Sequence, residues 1–252
     1  LTAGPDGTAA QNGAVSIVQE PTQDTGFVAH DREICVHCRD MVCIDACPER
    51  ALKPAGRKMT VGEVMRIIRR EIPYYKGVGG ITLSGGEALS QPEFAAELLK
   101  ACKEEMVSTC IESAMHVPWT HVEAVLPYID LWLVDIKHMD SEQHKEGTGV
   151  PNTTILENIA RLTSVRPDQV VIRGPVIPGF NDTVENIEAT ARFAREHNVG
   201  RVNLLPYHKL GQVKWNQIGM EYPMPDVTPP AQEHMEALRQ AVERQGVLGI
   251  VN

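Results

Sequence analysis

From Gly79 onward the chain alternates between short aliphatic, β-branched runs and longer stretches whose apolar residues recur every three or four positions. The first pattern predicts strands over Gly80–Leu83, Ser108–Ile111, Leu131–Ile136, Val170–Arg173 and Arg201–Leu205. The second predicts helices over Glu93–Glu105, Trp119–Leu126, Thr154–Thr163, Val184–Asn198 and Gln232–Gln245. Strand and helix in regular alternation mark a parallel sheet of βα units, so the expected fold class is α/β, a partial parallel βα barrel. Ahead of it, Thr60–Ile72 reads as a further helix, with Val64, Ile67, Ile68 and Ile72 at helical spacing behind a Thr60 cap and Glu63 three residues on. Its apolar face is expected to pack on the barrel. Residues 1–31 carry little pattern: Gly4, Pro5, Gly7, Gly13 and Pro21 interrupt them, and only Ala14–Val18 could form a short strand.

Composition narrows the class. A chain of 252 residues, 42% hydrophobic and 23% charged, is that of a soluble globular protein able to bury one sizeable core. No apolar run could span a bilayer and the first residues do not read as a signal peptide, so a cytoplasmic protein with no membrane partner is expected. A net charge of -9 argues against a nucleic-acid partner, and the basic run from Arg66 to Arg70 is expected to be the solvated face of a helix.

Candidate chemistry falls at the C-terminal ends of the expected strands, where βα barrels and open α/β sheets place their ligands. The run Gly79 to Pro92 feeds a strand into the Ser84-Gly85-Gly86 turn and then Glu87; two residues without Cβ let backbone groups approach a bound molecule, and Glu87 can meet an ammonium group. Glu112 and Ser113 follow the second strand, Asp135, Ile136 and Lys137 the third, Arg173 the fourth and His208 the fifth. Carboxylates and cations around one opening suit a zwitterion: Glu87 for an amine, Lys137, Arg173 or His208 for a carboxylate, and Glu112 for ribose hydroxyls. Taken singly, each has a plainer reading. Gly-Gly after a strand is commonly a tight turn, Asp135 with Lys137 a strand-end salt bridge, and His208 a hydrogen-bonded core histidine. His138 and His144 read as surface residues, and Cys102 and Cys110 as small buried apolar ones.

Four of the six cysteines are packed into Cys35-x2-Cys38-x4-Cys43-x3-Cys47-Pro48, which is no secreted disulfide framework. Four thiolates suit tetrahedral zinc, but the Cys-x3-Cys-Pro ending and Glu49-Arg50-Ala51-Leu52 favour a ferredoxin-type iron-sulfur cluster. Arg39-Asp40-Met41-Val42 fills a gap that holds two residues in the common bacterial pattern, so that loop must bulge. In two-cluster ferredoxins the cysteine before the proline serves the other cluster, which singles out Cys47.

In this order, the cysteine cluster, Gly85-Gly86-Glu87, Asp135-Ile136-Lys137, Arg173-Gly-Pro-Val-Ile-Pro-Gly179 and Leu204-Leu-Pro-Tyr-His208 resemble the activating enzymes of glycyl radical enzymes, in the radical S-adenosylmethionine (SAM) superfamily. The matching phrases extend to Ser90-Gln91-Pro92-Glu93-Phe94, Leu126-Pro127-Tyr128-Ile129-Asp130 and Ile136-Lys137-His138-Met139-Asp140, and the likeness runs from about Cys35 to the C-terminus. It implies a partial barrel of radical SAM type with a ferredoxin-like insert, divided as 1–31, an irregular remnant; 32–56, the cluster motif; and 57–252, the barrel. It also implies that Gly85, Gly86 and Glu87 bind the SAM amino group, that Asp135, Ile136 and Lys137 contact its methionine end, and that His208 joins the site. The implied cofactors are SAM and a [4Fe-4S] cluster on Cys35, Cys38, Cys43 and Cys47. The implied partners are a glycyl radical enzyme and a flavodoxin or ferredoxin electron donor. In that chemistry, reductive cleavage of SAM yields a 5′-deoxyadenosyl radical, which takes hydrogen from a glycine of the partner.

The superfamily's Cys-x3-Cys-x2-Cys triplet does not occur here, and Cys35 to Cys47 stand where an auxiliary cluster would be. Leu1-Thr2-Ala3-Gly4 resembles the exit from an earlier cluster. The chain is therefore expected to lack the first barrel strand, the catalytic cluster loop and one auxiliary cluster, to bind SAM weakly without cleaving it, and to expose a sheet edge unless Ala14–Val18 or a partner covers it. Two other classes remain: a noncatalytic iron-sulfur electron carrier, and a zinc-stabilised barrel lyase using Lys137 as a Schiff-base amine.

Overall fold

The computed structural model describes residues 15–18, 27–30, 32–35, 37–38, 41–47, 52–54, 56–217 and 220–251. The expectations placed on residues 1–4, 14, 39–40 and 48–51 lie outside them. The chain divides into two units, Leu1–Met59 with Trp215–Glu221, and Thr60–Lys214 with Tyr222–Asn252.

In the first unit, β1 (Val15–Val18) pairs antiparallel with β2 (Phe27–His30), Val15 opposite His30 and Val18 opposite Phe27. β1 therefore has its partner in a sheet of its own. The second strand carried no signal, because four residues between polar stretches are too few for a period to register. Two single-turn helices follow, α1 (Arg32–Cys35) and α2 (Val42–Asp45).

The second unit is a six-stranded, all-parallel sheet in sequential order: β3 (Gly80–Leu83), β4 (Ser108–Ser113), β5 (Leu131–Asp135), β6 (Val170–Val176), β7 (Arg201–Pro206) and β8 (Leu248–Val251). Its helices are α3 (Val61–Glu71), α4 (Pro92–Glu104), α5 (Trp119–Val125), α6 (Ser141–Thr148), α7 (Thr153–Thr163), α8 (Val184–Glu196) and, after α9 (Gln212–Gln217), which is divided between the units at Trp215, α10 (Gln232–Arg244). Ordered strands in parallel with intervening helices are the expected partial barrel. None of the helices described is long and apolar enough to cross a membrane.

Strand alternation divides the sheet into two faces. Ile111, Trp132, Val134, Ile172, Val202 and Leu204 are at most 2% exposed and form the core with Leu99, Val122, Ile159 and Leu238 of the helices. Residues of opposite parity, among them Cys110, Glu112, Leu133, Asp135, Arg173 and Asn203, are half-buried on the other face. That second face is the polar one.

Several local outcomes have definite causes. Thr60 and Glu63 close a reciprocal capping box on α3, which buries Met65 and Ile68 against Leu98, Cys102 and Val107, with Ile81 and Leu83 of β3 packed alongside. Ile67, expected on that face, is 42% exposed. β6 runs three residues past its expected end, through Gly174-Pro175; beyond Arg173 it pairs only with β7, so the missing N–H of Pro175 breaks no bond to β5. β8 was not anticipated, since Leu248–Val251 is short and alternates weakly, yet it covers the outer side of β7. α6 was also missed. Its sequence has no apolar period, and it starts because the Asp140 carboxylate accepts the N–H groups of Glu142 and Gln143 and stops at left-handed Gly149.

Asp130, just before β5, accepts the N–H of Thr109 at 2.9 Å and its hydroxyl at 3.1 Å, while its other oxygen meets Lys103 Nζ at 2.6 Å. Burial pushes this carboxyl up, but Lys103 and the Thr109 donors outweigh it, and the net direction is down. A folded-state value below the unfolded one contributes stability above about pH 4 that is lost as pH falls through the folded value. Asp130→Asn is expected to destabilise by up to about 1 kcal/mol at pH 7, the pair being half exposed. Urea midpoints at pH 7 and pH 3 check this: the gap between wild type and variant should shrink at the lower pH.

Candidate functional site

The polar face of the second unit gathers its charges toward the C-terminal ends of the strands, although Glu112 lies within β4 and Arg173 at the middle of β6 rather than after them as expected. After β3 the chain turns through Ser84-Gly85-Gly86, where Gly85 has φ of 138°, a conformation that L side chains rarely adopt. Both glycines are exposed, and nothing lies within 4 Å of where a Cβ would stand on either. Glu87 then turns back. Its Oε1 accepts the Leu89 N–H at 3.0 Å, starting a 3-10 turn over Ala88–Ser90, and its Oε2 accepts the Ala114 N–H at 2.9 Å. One half-buried carboxylate thus ties the β3 turn to the end of β4. Each oxygen keeps a further lone pair.

Beside it runs a connected array of alternating charge. Ser84 Oγ donates to Glu112 Oε2 at 2.8 Å; Arg173 Nη1 meets Glu112 Oε1 at 2.7 Å; Arg173 Nε donates to Asp135 Oδ1 at 2.8 Å; and Lys137 Nζ reaches Asp135 Oδ2 at 3.2 Å. Register makes this possible, because Asp135 and Arg173 are Cα partners on β5 and β6 and so share a face. The Arg173 and Asp135 side chains are only 13% and 16% exposed, whereas Glu112 and Lys137 are each 32% exposed. Burial would lower the Arg173 pKa, but the bonds and charges of Asp135 and then Glu112 hold it above its ordinary value. Arg173 is therefore a central brace between two carboxylates, and Lys137 is the cation nearer solvent.

Other expected residues stand apart from this array. Ser113 is 3% exposed, and its Oγ accepts the N–H of Met115, a residue held at φ of 57°. Ile136 points into the core and its N–H donates to Arg173 O, so its carbonyl is what it can offer a ligand. His208 is exposed, with Nδ1 accepting the Leu210 N–H at 3.3 Å, which removes the core-histidine reading. His144, expected at the surface, is 2% exposed and bonds Val150 O through Nδ1 at 2.7 Å, and His138 is half-buried against the Phe180 ring. Cys110 lies on the polar face, its thiol pushed up chiefly by burial and touched by the charges of Glu112 and Arg173. Cys102 fits the small-apolar reading: it is fully buried, and burial first, then Glu105, pushes its thiol up to about 11.

In the first unit, Cys35, Cys38 and Cys43 line one cavity of about 160 Å³ with Met41, Ile44, Leu52 and Lys53. None of the six cysteines is in a disulfide. Among the described residues no three potential ligands converge as they would on a single ion. Three thiols around an apolar cavity, with a lysine at its wall, are donors of the kind that would hold an anionic iron-sulfur group. Cys47 is 6% exposed and packs with Leu52, Cys43 and Ile44 rather than lining the cavity.

Residues 34–194 match the family model of the Radical SAM superfamily. The indoleacetate decarboxylase activating enzyme of Tractidigestivibacter scatoligenes is 42% identical over 242 residues, which are 95% of this chain and 77% of that one. The 4-hydroxyphenylacetate decarboxylase activating enzyme of Clostridioides difficile (strain CD196) is 40% identical over 218 residues, 86% of this chain and 69% of that protein. The crystal structure of a domain of pyruvate-formate lyase-activating enzyme from Bacteroides vulgatus ATCC 8482 superposes with a TM-score of 0.58 at 29% identity, covering 69% of this chain and 99% of that one. The fold and these matches define a radical SAM enzyme, and within that superfamily the chain belongs to the glycyl radical enzyme activating enzymes. The reaction of the class is reductive SAM cleavage to a 5′-deoxyadenosyl radical, which abstracts hydrogen from a glycine of a partner enzyme. The zinc-lyase and electron-carrier readings fall with this membership.

Sequence reasoning did not single out Ser84, Asn158 or Asn181 at this site. Ser84 anchors Glu112, and Asn158, on α7, donates to Met115 O and Val117 O behind the β4 loop. The Pro-Gly-x-Asn run at Asn181 is a turn signal, but nothing local says where such a side chain will reach.

Proposed function

We propose that the array at the ends of β3 to β6 is the SAM site and that the cysteine-lined cavity holds an auxiliary [4Fe-4S] cluster. The observation that carries this reading is the two-signed array of Glu112, Arg173, Asp135 and Lys137 beside the Gly85-Gly86-Glu87 turn. Glu87 receives the SAM ammonium on the lone pairs its backbone contacts leave, and the exposed glycines let the methionine half lie against the turn. Lys137 exchanges Asp135 for the SAM carboxylate, while Asp135 stays anchored by Arg173. Glu112 meets the ribose hydroxyls, with Arg173 and Ser84 holding its orientation. Ser113 and Ile136 contribute through the backbone they shape, and His208 stands at the exposed end of β7. Cys35, Cys38 and Cys43 would bind the auxiliary cluster, which would supply one-electron transfer; Cys47, the fourth cysteine of the motif, stands outside the cavity lining and is the ligand least supported by the structure. The division into 1–31, 32–56 and 57–252 follows these roles. The partner is a glycyl radical enzyme, a flavodoxin or ferredoxin donates the electron, and the setting is cytoplasmic.

Anaerobic reconstitution with iron and sulfide, followed by iron counting and EPR of the reduced protein with and without SAM, tests the cluster assignment. The expected result is one cluster whose spectrum does not respond to SAM. A spectrum that changes on adding SAM would place an open-iron site on these cysteines and overturn the auxiliary role.

A further inference from the structure

The segment that carries Lys137 leaves β5 at Asp135, so the backbone groups of the half-buried residues 137–139 lose their sheet partners. Three buried asparagines take over. Asn181 Nδ2 donates both to Lys137 O at 2.7 Å and to Pro175 O at 2.6 Å, while its Oδ1 accepts the Ile177 N–H at 2.7 Å. Asn152 Nδ2 donates to His138 O at 3.0 Å and Met139 O at 2.8 Å, and Asn186 Oδ1 accepts the Met139 N–H at 2.9 Å. Asn186 Nδ2 then donates to Asn181 O at 2.9 Å, joining two of the three. Asn181, Asn152 and Asn186 are 2%, 3% and 8% exposed.

This arrangement does more than satisfy partly buried carbonyls. Lys137 O lies two residues beyond the end of β5 and Pro175 O at the next-to-last residue of β6, so the two N–H groups of Asn181 tie the segment leaving β5 to the strand that carries Arg173. An asparagine offers two donors in one rigid plane, and neither leucine nor a hydroxyl reproduces that fork. We infer that Asn181, with Asn152 and Asn186 behind it, is a positioning residue that sets the pose of Lys137 for the carboxylate of the SAM methionine. The inference rests on the proposed role of Lys137, and it adds a residue set that touches no ligand.

The test compares two probes on the reconstituted full chain by calorimetric titration: SAM, and 5′-methylthioadenosine, which shares the adenosyl half but has neither the amine nor the carboxylate. Asn181→Leu is expected to weaken SAM about tenfold and to leave 5′-methylthioadenosine within twofold of wild type. Lys137→Met is expected to do the same, and the double variant should bind SAM no more weakly than Lys137→Met alone. Should Asn181→Leu fail to fold, Asn152→Leu, which releases His138 O and Met139 O, carries the comparison, with a loss of about threefold in SAM binding alone. Equal losses for both probes would mean a merely structural role and would sink the inference, as would unchanged SAM binding. If Lys137→Met itself leaves SAM binding intact, the assigned Lys137 contact and the inference fall together. If Lys137→Met weakens SAM and Asn181→Leu does not, the inference falls alone.

Discussion

Replacing Arg173 by Met is expected to destabilise the second unit by about 3 kcal/mol, more than removing either of its partners alone. Arg173 sits between Asp135 and Glu112 on the polar face, and its side chain is 13% exposed. Methionine fills similar space and leaves two carboxylates facing each other with Lys137 and Ser84 as their remaining partners. Breaking a fully buried pair costs about 3–5 kcal/mol; the lower end applies here because Glu112 is about one-third exposed and water can reach it. Adding Glu112→Gln to Arg173→Met should recover part of the loss, since one of the stranded charges is then gone, and the two effects will not add. Urea unfolding followed by tryptophan fluorescence in a Trp215→Phe background, which leaves Trp119 and the fully buried Trp132 of β5, reads the unit concerned. A midpoint unchanged by Arg173→Met would mean that the array is a set of solvated surface pairs.

Glu87→Leu is expected to abolish detectable SAM binding and also to cost about 2–4 kcal/mol, through two separable causes. The stability loss follows from geometry: the Leu89 and Ala114 N–H groups lose the carboxylate that satisfies both, and bonds to a charged acceptor are worth about 1.5–3 kcal/mol each before allowing for half-exposure. The binding loss follows from the proposed ammonium contact. Glu87→Gln separates them, because one amide oxygen can still accept from a backbone N–H while the charge is absent. It should retain about half of the stability that leucine loses, since its NH2 cannot accept the second N–H, and lose SAM binding at least tenfold. A glutamine variant that binds SAM like wild type would confine Glu87 to holding the loop.

How much of this was legible beforehand depends on how local each cause is. Thr60 and Glu63 lie three residues apart, and their capping box formed as the sequence suggested. The five strands read from aliphatic runs are all present, in the parallel order that βα alternation requires, with ends that moved by up to three residues. The motif phrases also led to the right family, because several long strings in one order carry more information than any single residue. By contrast, α6 and β8 left almost no periodic trace: α6 rests on its Asp140 and Gly149 caps without an apolar stripe, and β8 on pairing with β7.

The sequence by itself determined the α/β class, the strand-end placement of Glu87, Glu112, Asp135 and Lys137, and membership among the glycyl radical enzyme activating enzymes; Arg173, expected at a strand end, falls in the middle of β6. The physical reason is that side-chain period, caps and turn residues act over a few positions. Only the tertiary structure decided which charges pair, that Arg173 braces both Asp135 and Glu112, that Ser113 and Ile136 turn inward while His208 turns out, and that Asn181 reaches Lys137 O. Those outcomes hang on strand register, and register is settled by the packing of the whole apolar face of the sheet: moving one strand by a single residue would exchange its polar and buried positions.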